Sequence, residues 1–415
     1  MSSAVTLEGA SEPIAGRAAH VSPPLVEPIV RVPSRSRIHA LAIHRGEDAW
    51  AKLSDPAFLV EWERLGTACP WSTPCQSSHF VRTWFEHYRS RYWPIVVTLR
   101  TDDGMLVGLL ALAVCLRTQR VAVAGAHQAE YQAWLATPEC QREFIVRALA
   151  ALDELLPGYE LTFKYLPHGL PVEPLLGSPL FRSRARLVAH RRPLMRLDAD
   201  ELKRSLRKKS NKSRWSRLQR LGKLEFSRIT DPGAFEAAFD EIIASYDERQ
   251  RGAHAVAPFA ADPLKKAFHL GLMRAAPGLL HVTVTTLAGK VIAAHVGLAG
   301  RDEVTLAIVC HDEALAEHSP GKLHLLKLGE RLLQEGVGAL DLTPGGDPWK
   351  ERFANAHDEV HVLTLHRSAG VRQVRSLEAG ARTAVKRMLE SAGVPPGEVR
   401  RRLGELRRRF APATA

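Results

Sequence analysis

Ser319-Pro320-Gly321-Lys322, a leucine-rich run over 323–335, Ala339-Leu340-Asp341-Leu342 and then Gly345-Gly346-Asp347-Pro348-Trp349-Lys350-Glu351-Arg352-Phe353 form the stretch from which the fold of this 415-residue chain can be read. The run 303–311 before it reads as a strand, so the order is strand, helix, strand. Leu325, Leu326, Leu328, Leu332 and Leu333 share one broad arc of the helix, with His324, Lys327, Arg331, Gln334 and Glu335 on the other. Gly336 is a natural stop. Free N–H groups and the positive end of the dipole at Ser319–Lys322 suit an anion such as a pyrophosphate. Ser319 as cap and Pro320 at the first position would equally make an ordinary helix start.

Strands and helices alternate on both sides. In the first half, helices are expected over 48–65, 77–88 and 141–156. Strands are expected over 94–100, 105–116, 120–124 and 160–165, the first two joined at Thr101-Asp102-Asp103-Gly104. Loops and a polar stretch then run to Pro193. In the second half, one basic helix over 199–221 precedes a strand over 223–229, helices over 232–249 and 263–275, strands over 279–287 and 291–299, and a closing strand over 359–365. A tail helix over 371–389 places Val371, Val374, Leu377, Val385, Met388 and Leu389 on one face. This pattern predicts an α/β (α+β) protein with a mixed central sheet flanked by helices, neither a bundle nor a sandwich. The expected parts are a flexible leader over 1–37, a first lobe over 38–195, a second over 196–368 and a basic helical tail over 369–415.

The net charge of +12 is local. From Leu202 to Leu224 there are ten Lys or Arg and no acid, and 400–409 carries six Arg and one Glu, which leaves −3 for everything else. The helical run could hold an anionic partner such as a nucleic acid, an anionic polymer, a lipid head group or an acyl carrier protein, although Trp215 is its only aromatic and no nucleic-acid motif accompanies it. Its apolar residues form two stripes, Leu202 with Leu206 and Trp215 with Leu218 and Leu221, as a kinked or two-sided helix would. Five scattered cysteines, an odd number without zinc spacing, read as thiols of a reducing compartment, the cytoplasm. The longest apolar run, 105–116, is shorter than the roughly 20 residues of a spanning helix. The leader lacks the basic start and apolar core of a secretory signal.

The second half resembles the GNAT superfamily of acyl-CoA-dependent acyltransferases, and more narrowly its CelD-like branch, named for cellulose biosynthesis and allied to the Fem-type aminoacyl transferases. The resemblance rests on Arg217-Leu218-Gln219-Arg220-Leu221-Gly222, Val291-Ile292-Ala293-Ala294-His295-Val296, Ser319-Pro320-Gly321-Lys322-Leu323, and Asp341 with Asp347 through Phe353. The first half fits at Pro70-Trp71-Ser72, at Trp84-Phe85-Glu86-His87-Tyr88 and between Arg120 and Pro138, so about 45–368 is covered.

The resemblance implies two tandem GNAT-like lobes, acyl-CoA (acetyl-CoA) as co-substrate, and direct transfer to a small-molecule or saccharide amine or hydroxyl, with no metal and no covalent enzyme intermediate. Its phosphates would sit on Ser319, Gly321 and Lys322, although this loop has one glycine where the family pattern has more. His295 is either a satisfied strand residue or a general base. Asp347 is either a cap before Pro348 or a base facing the acceptor, and Lys350 would support the oxyanion or a phosphate. Asp341 would orient a neighbour, and Tyr246, Asp247 and Arg249 would line the acceptor side. Two other readings stay open: a Fem-type transferase using aminoacyl-tRNA, and a non-catalytic GNAT-like binding protein.

Overall fold

A computed structural model describes residues 38–391. The expected leader and the arginine-rich end lie outside them. In chain order the first elements are β1 (Ile38–Arg45), α1 (Glu47–Ser54), α2 (Pro56–Ala68), α3 (Ser78–Tyr88), β2 (Tyr92–Thr101), β3 (Leu106–Cys115), β4 (Val121–Val123), β5 (Leu135–Ala136) and α4 (Gln141–Leu155). Next come β6 (Leu161–Leu166), α5 (Glu173–Gly177), β7 (Ala185–Arg196), α6 (Ala199–Arg207), α7 (Lys209–Leu221), β8 (Leu224–Ile229), α8 (Pro232–His254), α9 (Pro258–Ala261) and α10 (Leu264–Ala275). The last are β9 (Leu280–Leu287), β10 (Lys290–Ala299), β11 (Glu303–His311), α11 (Pro320–Gln334), β12 (Ala339–Asp341), β13 (Ala356–Leu365) and α12 (Ala369–Ser391).

The fold is mixed α/β, as expected, and contains two sheets. The smaller runs β1-β2-β3-β4, with β5 also on β3, and turns at Gly104, whose φ of 83° suits glycine. The larger has the order β6-β13-β7-β12-β11-β10-β9-β8. Its neighbours are antiparallel except β11 and β12, which are parallel. The expected lobe boundary at 195/196 does not coincide with a change of sheet, because β6 and β7 both join the larger one. β7 escapes a sequence reading because its first half, Ala185 to Arg191, mixes apolar and charged residues without alternation and is mostly only partly buried or exposed. One hydrophobic core runs from Ala49 through Trp84, Leu110 and Phe163 to Phe239, Val282 and Leu365, so both sheets fold on shared apolar surface.

α11 lies against the larger sheet. Leu325, Leu326, Leu328 and Leu332 are buried as the helical arc predicts, each worth about 1.5–3 kcal/mol. His324 departs from its expected polar side: it is 1% exposed, and both ring nitrogens bond hydroxyls of β9, Thr283 at 3.1 Å and Thr285 at 2.8 Å. Gly329 lets α6 approach, since a Cβ there would stand 3.1 Å from Leu202.

The expected single basic helix is two. Asp198 caps α6 through the N–H of Glu201 at 2.7 Å, and the chain leaves helical geometry at Lys208 before α7 begins. This break reconciles the two apolar stripes: Leu202 is buried from α6 and Leu218 from α7. In α12, Val374 and Leu377 are 57% and 74% exposed, so the tail's apolar arc is not covered by the described residues. Among those residues no helix is long and apolar enough to cross a membrane.

Candidate functional site

The site is built where β11 and β12 part. They pair only from Glu303–Ala339 to Thr305–Asp341, so from Leu306 onward one edge of β11 faces an opening. Two carbonyls there are taken by α8: Val309 accepts from Arg249 at 2.8 Å and His311 from Ser245 at 3.1 Å. Two cavities flank this edge. One, of about 490 Å³, is lined by Ser319, Gly321, Lys322 and Arg352 among others. The second, of about 250 Å³, is lined by Tyr246, Thr343, Asp347 and Lys350. Arg249, Val309 and Trp349 line both, and Arg249 stands over the Trp349 ring at 5.5 Å as a shared wall.

The first cavity contains the start of α11. Ser319 has φ 52° and accepts no capping bond through its side chain, so the ordinary cap is not formed. Pro320 has no N–H, and those of Gly321 and Lys322 have no hydrogen-bond partner among the described residues. A Cβ on Gly321 would meet His311 Nδ1 at 3.1 Å, so the backbone is kept bare where an anion would approach. The Lys322 ammonium is held below the usual lysine range, first by partial burial and then by Arg214, Lys208 and Arg352. Four cations thus converge on one helix start. These features fit the phosphates of a nucleotide-like anion.

The second cavity is built differently. Asp341, 1% exposed at the end of β12, accepts from Tyr131 Oη at 2.5 Å, from Arg192 at 3.2 Å and from the Thr343 N–H at 2.8 Å. Burial pushes its carboxyl up to about 6, against the pull of Arg192 and Tyr131. Arg192 also bonds Asp358 at 2.5 Å and 2.7 Å, and Glu303 at 2.9 Å. Thr343 holds φ 61°, a left-handed conformation that costs a β-branched residue about 1–3 kcal/mol. Lys350 fixes that turn: its ammonium reaches Thr343 O and Oγ1 at 3.0 Å each, Pro344 O at 3.4 Å and Asp347 at 3.4 Å. Burial lowers the Lys350 pKa, and Asp347 opposes the shift.

Ser319, Gly321 and Lys322 therefore share one cavity, while Asp347 and Lys350 share its neighbour. His295 lines neither. It is 0% exposed, its Nε2 lies 3.3 Å from the Thr305 carbonyl, and burial holds its pKa far below the usual value. A base enclosed in this way cannot meet an acceptor, so the expectation for His295 is corrected to a core role beside His281 and His324. Lys350 is corrected in part: its three protons are committed to the turn and Asp347, leaving none for an oxyanion. Asp247 is structural, accepting from the N–H groups of Phe259 and Ala260 at the start of α9. Tyr246 and Arg249 line the second cavity.

Several residues escaped the sequence reading. Tyr131, which ties the first lobe to Asp341, is 210 positions away along the chain. Lys164 pairs with Glu130 at 2.8 Å, and Lys265 stands over the Tyr246 ring at 6.0 Å. No local pattern marks such pairs. The signal that could have raised them is an ionisable or phenolic residue among apolar neighbours, as with Tyr131 in Glu130-Tyr131-Gln132-Ala133-Trp134.

Residues 204–351 match the acetyltransferase (GNAT) domain family. No curated protein matches the chain. The fold is shared with FemX, at 9% identity and a TM-score of 0.50 over 76% of this chain and 98% of that one. It is shared also with a conserved protein of unknown function from Bacteroides thetaiotaomicron, at 11% identity and a TM-score of 0.50 over 74% and 97% of the two chains. The C-terminal domain of a lysylphosphatidylglycerol synthetase from Agrobacterium fabrum aligns at 12% identity and a TM-score of 0.49 over 78% and 95%. A GNAT-type acetyltransferase domain over residues 204–351, in a chain folded like FemX, is what these likenesses support.

Proposed function

We propose that the chain is an acyltransferase that moves an acyl group, most simply acetyl, from acyl-CoA to an amine or hydroxyl acceptor. The observation that carries this reading is the pair of adjoining cavities. One offers two unpartnered N–H groups with Lys322 and Arg352 in its wall, and Lys208 and Arg214 acting on Lys322, for the donor's phosphates; the other offers the Asp347 carboxylate beside the shared Arg249–Trp349 wall. Lys208, Arg214, Lys322 and Arg352 hold the anionic end, while the open edge of β11 aligns the acyl arm towards Asp347. The acceptor nitrogen or oxygen attacks the thioester carbon, and Asp347 takes its proton directly or through a water. The C–S bond then breaks, and the departing thiolate takes up a proton. Lys350 holds the Thr343–Asp347 turn in place and lends its charge from behind it. By resemblance to the CelD-like branch, the acceptor would belong to polysaccharide or cell-envelope synthesis in the cytoplasm.

A Fem-type reading, with aminoacyl-tRNA as donor, is favoured by one observation: Lys209, Lys212, Arg217 and Arg220 of α7 are exposed. Thiol release from acetyl-CoA by the purified chain, across a panel of amines and sugars, tests the first reading. Turnover above the uncatalysed rate supports it. Turnover only with aminoacyl-tRNA would replace it with the second, and no turnover with either leaves a binding protein.

A further inference from the structure

A third cavity, of about 260 Å³, lies on the other side of the α11 start and is assigned no role by the reading above. It is lined by Leu206, Asn211, Lys212, Trp215, Ser216, Leu323 and Lys327. Asn211 is only 2% exposed, and its Nδ2 donates to the Ser205 carbonyl at 2.7 Å, which ties α7 back to α6 across the break at Lys208. That bond fixes the amide orientation and leaves Oδ1 as a buried acceptor with no partner. A buried acceptor left unsatisfied is costly, and few such groups persist in native proteins. Asn211 is at the same time a lining residue of an open cavity with an aromatic wall, since Trp215 packs against the cluster of Leu218, Ile292 and Leu323. Lys327 stands over the Trp215 ring at 5.6 Å and is held by Glu330 at 2.9 Å, while Lys212 is exposed.

We infer that this cavity receives the adenine ring of the donor: the exocyclic amine donates to Asn211 Oδ1, the base lies along Trp215, and the adenosine phosphates reach the cations around Lys322. This inference rests on the acyl-CoA reading and extends it. Lys208 and Arg214, which act on Lys322, stand three residues before and three residues after Asn211, the first at the break and the second within α7. The cavity is also small enough to suit a base without the rest of a nucleotide. An acceptor with an apolar wall selects a base carrying an N–H donor at that edge. Hypoxanthine, with a carbonyl in place of the amine, would set two acceptors against each other.

The test uses the wild-type chain and adenosine 3′,5′-bisphosphate by isothermal titration, with inosine 3′,5′-bisphosphate as the paired probe and acetyl-CoA as competitor. The adenosine compound should bind at least tenfold more tightly and be displaced by acetyl-CoA. Asn211→Leu, with its fold checked by circular dichroism, should bring the two nucleotides to parity, and Trp215→Ala should weaken both. Equal binding of the two by the wild-type chain, with acetyl-CoA still binding, overturns the inference and leaves the acyl-CoA reading standing. Displacement by transfer RNA alone overturns it too, and binding of neither nucleotide nor acetyl-CoA overturns both.

Discussion

Two cation-rich regions, one around Asp341 and one at the start of α11, differ in one respect. Around Asp341, each cation is answered: Arg192 by Asp341, Glu303 and Asp358, and Lys350 by Asp347, Thr343 and Pro344. Around the start of α11, Lys322 is acted on by the like charges of Lys208, Arg214 and Arg352. The first arrangement is complete without a ligand, and so reads as a frame. The second gathers positive charge and bare N–H groups for which no hydrogen-bonded carboxylate appears among the described residues. Composition alone would not separate the two. The carboxylates do.

The comparison can be broken at several points. The largest effect should come from Asp347→Asn, which removes the proposed base while keeping its shape. Turnover should fall about 10²–10⁴-fold with acyl-CoA affinity unchanged, measured by steady-state kinetics and titration in parallel. A fall in affinity instead would move Asp347 to the frame. Next is Arg192→Met, which strands Asp341, Asp358 and Glu303. Breaking a buried network of this kind costs about 3–5 kcal/mol, readable as a shifted urea midpoint. A cost below 1 kcal/mol would show that the network is not holding the Thr343 turn.

A smaller effect follows from the buried histidines. His269 and His324 are both lowered to about 3 by burial, and His281 and His295 are lowered as well. A histidine whose folded pKa lies below the unfolded 6.5 contributes stability that is full above pH 6.5 and lost as pH falls towards the folded value. Asp341 opposes part of this: its raised pKa means that stability from its protonated form is lost as pH rises from about 4 to about 6. Between pH 7.5 and 5.5 each deeply shifted histidine should cost about 1 kcal/mol, and His324→Gln should flatten the slope. A profile with no slope below pH 6.5 would place these rings in contact with water.

Much of the architecture was legible where side-chain period and turn chemistry agree. The hairpin at Gly104 and the leucine arc of α11 are local facts, set by spacing alone. β7 was not legible, because its partners β12 and β13 cover a strand that shows no alternation of its own. The grouping of Ser319, Gly321 and Lys322 in one cavity was readable because these residues are nearly contiguous. The second cavity was readable only in part: Asp347 stood out after two glycines, but the burial of Lys350 and His295 is a tertiary fact. The Tyr131–Asp341 bond and the Arg192 hub join residues far apart in the chain, so no window of sequence contains them. The empty acceptor of Asn211 depends on a helix break at Lys208 that a single basic run conceals.

The central claim is that the unbalanced cations and bare N–H groups at the start of α11 hold an acyl-CoA. Titration of acetyl-CoA into the wild-type chain and into Gly321→Asp plus Lys322→Glu, at low and high salt, tests it most directly. The account predicts saturable binding that weakens as salt screens the cations and is lost in the double variant, whose circular dichroism stays unchanged. Binding of equal strength in the two chains would contradict it.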